Sequence, residues 1–203
     1  MDLETKTETK FAKLESTIIY AEFDEALEIL SSINYEFISL QQVAQLRIQQ
    51  GKDFYFSKDG NWTKEAFIYS PEKGAFLTKS SPIIGNEREA VQTHRKGVEY
   101  FLTDEQVEKS LTNSVGLVGR KIPTNRFKEN EITAFAFGEI AEQYGNFLYE
   151  YGIKEIPVYL TCFASRPFAR QMKFMGLSHN SAFNSIGKFF GDIKKFEICG
   201  VKK

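Results

Sequence analysis

The stretch CFASRPFARQMKFMGLSHNSAF, residues 162–183, gathers Cys162, Arg166, Arg170, Lys173 and His179 within little more than twenty positions. Three chemistries draw on such side chains. A thiolate at Cys162, formed by His179 as base with Asp192 orienting the ring, would be a nucleophile. Cys162 also directly follows an apolar run, where a small buried residue is the simpler reading. A metal would need Cys162, Cys199, His94 and His179, none of which stands three or four residues from another, so four scattered positions would have to converge. No metal and no cofactor are therefore expected.

The third chemistry is anion binding. Arg166, Arg170 and Lys173 follow one another at intervals of four and three, which places them on one face of a helix, with Phe168, Met172 and Met175 on another. Ser165 would cap that helix, Pro167 fits its first turn and Gly176 would stop it. Free N–H groups at its start, beside Arg166 and Arg170, suit a phosphate or carboxylate. Lys188, Lys194, Lys195, Lys202 and Lys203 add charge among Phe189, Phe190 and Phe196, the mixture that neutralises phosphates and stacks on unpaired bases. The expected site is thus Arg166, Arg170, Lys173, Lys188, Lys194 and Lys195, engaging nucleic acid or another polyanion. The plainer reading is a solvated helix over core phenylalanines.

Weaker constellations lie elsewhere. Gly187–Gly191 and Gly116–Lys121 combine glycine with a base, but neither is a G-x-x-x-x-G-K-[ST] loop. Both read as turns. Glu139 and Glu142 share a helical face and could act as paired carboxylates, although opposite an apolar face they read as solvated.

A chain of 203 residues, 42% apolar and 26% charged, has the composition of one globular domain. Nineteen phenylalanines and nine tyrosines imply a core of flat rings, some reaching the surface for a partner. No run approaches the ~18 apolar residues of a spanning helix. The polar start MDLETKTETK resembles neither a signal nor a transit peptide, so a cytoplasmic protein with reduced cysteines and no membrane contact is expected. Net charge is −1, unevenly placed: residues 1–50 carry nine acids against four bases, and residues 161–203 eight bases against two acids. Either the basic end meets a polyanion or the two ends pack together and cancel.

The elements that must position these groups follow from local signals. Residues 1–10 read as a flexible tail and 11–203 as a single α+β domain. Thr17–Tyr20 is β-branched and strand-like, and Ala26, Leu27, Leu30 and Ile33 repeat at helical spacing. Ser39 with Gln42, and Thr103 with Gln106, form capping boxes, and Asn86 with Glu89 repeats the pattern. Aromatic runs at 54–56, 66–69 and 75–78, divided by Asp59-Gly60 and Pro71–Gly74, predict an antiparallel meander. One long helix is expected over 131–151, ended by Gly152, and strands over 156–160 and 196–199. The fold class is α+β: a single domain with helices packed on a small, mainly antiparallel sheet.

The order helix, strand Ile156–Leu160, helix, strand resembles the acyl-CoA region of the GCN5-related acetyltransferases over less than half the chain. That resemblance implies an acyltransferase-like enzyme. Where the family carries its [QR]-x-x-G-x-[GA] pyrophosphate loop, this chain has Asn125–Glu129. The functional expectation is a non-enzymatic accessory protein engaging nucleic acid. The alternatives are such an acyltransferase, or a protein-interaction or assembly subunit.

Overall fold

A computed structural model describes residues 13–160, 164–179, 181–184 and 196–203. In chain order the strands and helices are β1 (Ser16–Ala21), α1 (Phe23–Ser32), β2 (Tyr35–Phe37), α2 (Leu40–Gln50), α3 (Tyr55–Lys58), β3 (Asn61–Ser70), β4 (Gly74–Thr78) and α4 (Glu87–Arg95). The second half adds β5 (Tyr100–Phe101), α5 (Asp104–Leu111), β6 (Ser114–Leu117), β7 (Lys121–Pro123), α6 (Glu131–Phe137), α7 (Ala141–Glu150), β8 (Glu155–Tyr159), β9 (Phe168–Phe174), β10 (Phe183–Asn184) and β11 (Phe196–Lys202). The chain is a single α+β domain, as its composition and patterning implied.

Two sheets organise it. In the smaller, β11 lies between β1 and β2, antiparallel to both, with Ile18 opposite Cys199 and Gly200 opposite Phe37. The larger runs β6-β4-β3-β9-β10-β8-β7, with β5 also on β9, and only its β10–β8 pair is parallel. The acidic and basic ends therefore do meet: Lys202 pairs with Glu15 at 3.0 Å, and the Tyr35 hydroxyl donates to the same carboxylate. Both contacts hold the Glu15 carboxyl below its usual value, the tyrosine hydroxyl most.

Local chemistry explains the helices. Ser39 and Thr103 each accept from the N–H three residues on, while Gln42 and Gln106 return the bond. Helix α1 buries Phe23, Ala26 and Leu30 against the small sheet, each large side chain contributing about 1.5–3 kcal/mol. The expected long helix is broken. Gly138 takes φ 56°, ends α6, and starts a 3-10 turn before α7. A side chain there would be strained and would also press on Gln41 Oε1, 3.0 Å away. The aromatic run at 54–56 is not a strand either: Phe54 is the N-cap of the short helix α3.

The flat rings fill the centre as composition implied. Phe137 meets Tyr144, Phe174 and Phe183 at ring separations of 4.9, 5.5 and 5.8 Å. Such contacts add about 0.5–1.5 kcal/mol each to simple burial. Among the described residues no helix is long and apolar enough to cross a membrane.

Candidate functional site

The largest departure from expectation falls on residues 165–175. This segment is not a helix: β9, Phe168–Phe174, is a central strand, pairing with β3, β5 and β10. Side chains of a strand alternate, so Arg170 and Lys173 point to opposite faces, and the shared basic face of Arg166, Arg170 and Lys173 does not form. Arg170 is 8% exposed and grips both carboxylate oxygens of Glu99. Lys173 lies over Trp62 at 5.5 Å; burial pushes its ammonium below the usual lysine value, with Asp59 pulling the other way. Arg166 rests on Phe101, 4.5 Å from the ring centroid. Lys188, Lys194 and Lys195 lie outside the described residues.

The cleft beside Ser165 and Pro167 is also of the wrong sign for an anion. Its volume is about 440 Å³, and it is lined by Glu72, Asp104 and Glu108 against a single base, Lys73, which is already paired with Glu108. On α4, His94 is buried near Glu99 and Arg170. Burial pushes its imidazole down to about 4, Glu99 opposing and Arg170 assisting.

A second cleft has a different construction, and its framework begins at Arg47. Leu40, Val43, Ala44 and Arg47 form the inward stripe of α2, so a guanidinium occupies a position otherwise apolar, and it is fully buried. Every hydrogen-bond partner is neutral. Nε donates to the Phe56 carbonyl at 3.0 Å; Nη1 to the Tyr144 hydroxyl at 3.0 Å and Ser181 Oγ at 3.3 Å; Nη2 to the Asp59 carbonyl at 3.3 Å and Asn61 Oδ1 at 3.1 Å. The Phe174 ring covers the cation at 4.7 Å. Five donors thus meet five acceptors, which is what a buried guanidinium requires.

Those partners belong to three separate segments, 54–61, α7 and the turn at 181, and each segment continues into a wall of the cleft. The walls are Lys52, Asp53 and Lys58; Tyr151, Gly152 and Ile153; and Leu177 and Ser178, enclosing about 530 Å³. That is the size of a small-ligand site. Gly176 brings two walls together, since a Cβ there would collide with the Lys58 carbonyl, and Ser178 Oγ donates to the same carbonyl at 2.8 Å.

Tyr151 is 41% exposed and set edge-to-face on Phe147 at 4.7 Å, which fixes its ring. Lys52 Nζ lies 5.6 Å from the ring centroid. Lys58 reaches Asp53 at only 4.0 Å, and both remain exposed. The cleft therefore offers an aromatic face, one carboxylate, a hydroxyl and two ammonium groups. Phe54 and Tyr55, also exposed, flank the same segment.

The other sequence candidates resolve simply. Cys162 and Asp192 lie outside the described residues, as does Gly187–Gly191. Cys199 is a buried thiol whose ionisation is pushed far up by burial. Among the described residues no three metal-ligating side chains gather. Gly116–Lys121 is the end of β6, a turn and the start of β7. Glu139 and Glu142 are exposed, and Glu142 pairs with Lys128 at 2.8 Å.

No protein-family model matches this sequence, and no curated protein matches it. A solved structure does, described as "Accommodation of massive sequence variation in Nanoarchaeota by the C-type lectin fold", with TM-score 0.63 and 12% identity over 95% of this chain and 97% of that one. The fold is similar to the C-type lectin fold. The nucleic-acid expectation is corrected accordingly: the fold neighbour is a C-type lectin-fold protein, and the helix that was to display the bases is a buried strand. The acyltransferase resemblance falls with the same helix, because its order of elements is lost.

Proposed function

We propose that this chain is a non-catalytic recognition protein that binds saccharide in the cleft of Tyr151, Lys52, Asp53, Lys58 and Ser178. The supporting observation is Tyr151 itself, an exposed ring held by Phe147 in the wall of a polar cleft. A sugar ring has one apolar C–H face and an edge of hydroxyls. The negative face of an aromatic ring complements the first, and a carboxylate with a neighbouring hydroxyl complements the second. Lys52 must leave the ring for a sugar to stack, which costs about 0.5–1 kcal/mol for an exposed pair.

The fold supports this reading in a second way. The neighbour is described as a C-type lectin fold accommodating massive sequence variation, and a fold that tolerates such variation suits a recognition protein. The test is a panel of immobilised oligosaccharides probed with the full chain and with Tyr151→Ala. Retention of at least one saccharide is expected, with at least tenfold weaker retention of the variant, whose melting temperature should stay near that of the parent. Absence of binding across the panel, or binding indifferent to Tyr151, would overturn the proposal.

A further inference from the structure

We infer that the tyrosine cleft selects an acidic saccharide, one whose ring carries a carboxylate, over its neutral counterpart. This rests on the saccharide reading of the same cleft. The walls hold two ammonium groups against one carboxylate, so the cleft is net positive in a chain whose overall charge is −1. Among the described residues neither lysine is committed to a strong partner. Lys58 meets Asp53 at 4.0 Å with both side chains largely in water, a contact of little energy, and Lys52 stands 5.6 Å from the Tyr151 centroid.

A ligand carboxylate can take Lys58 from Asp53 while a stacked ring takes the place of Lys52 over Tyr151. Lys52 is then left beside the same acid group. Asp53, released, becomes an acceptor for ring hydroxyls. The contrast within the molecule supports the assignment. In the cleft at Ser165 and Pro167, Glu72, Asp104 and Glu108 would repel the same ligand, and the one lysine there is bound to Glu108.

The experiment uses the full chain and matched oligosaccharides that differ only in a carboxylate for a hydroxymethyl group: galacturonate against galactose, glucuronate against glucose, mannuronate against mannose. At low ionic strength the acidic member of at least one pair should bind about five- to tenfold more tightly, as one charge-assisted contact allows. That advantage should shrink as salt is added. The double variant Lys52→Gln with Lys58→Gln should bind acidic and neutral members alike, and Asp53→Asn, which frees Lys58, should widen the preference for acid.

Equal binding of both members, still lost in Tyr151→Ala, overturns the acidic preference and leaves the saccharide reading standing. An acid preference that survives the double lysine variant also overturns it. Failure of every saccharide to bind removes both.

Discussion

Arg47 and Arg170 are both buried, but they are satisfied in opposite ways. Arg47, behind the tyrosine cleft, is held by two carbonyls, an amide oxygen and two hydroxyls. Arg170, on β9, is held by the Glu99 carboxylate. A neutral cage must draw its acceptors from several segments, because each supplies only one or two. A carboxylate satisfies two donors alone. The first solution therefore ties distant walls together and leaves nearby lysines with their charge unspent; the second joins β9 to the loop before β5 and leaves no charge over.

Substitution gives the largest test of that contrast. Arg47→Leu strands acceptors from three segments at once and should lower stability by about 3–5 kcal/mol in urea unfolding, with loss of the tyrosine cleft. Arg170→Leu takes the cation from Glu99, whose side chain is partly exposed, and should cost less, about 2–3 kcal/mol. A larger loss at Arg170 would break the comparison.

Acid is the next test, because a histidine lies beside Arg170 and the five acceptors around Arg47 include none. His94 is kept neutral when folded, with its value lowered from 6.5 to about 4. As pH falls through 6.5 the unfolded chain takes a proton that the folded imidazole refuses until about 4, so stability declines across that window and is unaffected by this group above it. Between about pH 7.5 and about pH 4.5 the loss should be roughly 2–3 kcal/mol. His94→Gln should remove that part of the slope. The Arg47 cage holds no histidine or carboxylate, so saccharide binding per folded molecule should not follow the same curve.

The smallest effect belongs to the rim of the acidic cleft. Lys73→Ala removes an exposed ion pair with Glu108 and should change stability by less than about 1 kcal/mol. Saccharide retention should not change, and a clear loss would place the binding surface in the wrong cleft.

What could be read from residue order was whatever local chemistry decides. The Ser39 and Thr103 capping boxes and the turn at Pro71–Gly74 stand where the sequence placed them, since each depends on residues a few positions apart. Residues 165–175 misled because β9 is buried on both faces. Phe168, Arg170, Met172 and Phe174 alternate with Ala169, Gln171 and Lys173, but both sets are covered, so no polar side marked a period of two. The spacing of Arg166, Arg170 and Lys173 then imitated a helix.

Arg47 left a signal in the sequence, an arginine in the inward stripe Leu40, Val43, Ala44. The tyrosine cleft left none. Its walls come from residues 52–58, 151–153 and 177–178, far apart in sequence and brought together by the cage around that arginine, the contact at Gly176 and the Ser178–Lys58 bond.

The pairing of β1 with β11 carries a consequence for how the molecule comes into being. β1 and β2 are not paired with each other; the strand between them is read out some 160 residues later. During synthesis Ile18, Ile19 and Phe37 must wait for Ile198 to Val201 to leave the ribosome, holding apolar strand edges open meanwhile. Such distant closure makes for slow folding, and a nascent chain stalled short of β11 would be a ready client for a chaperone.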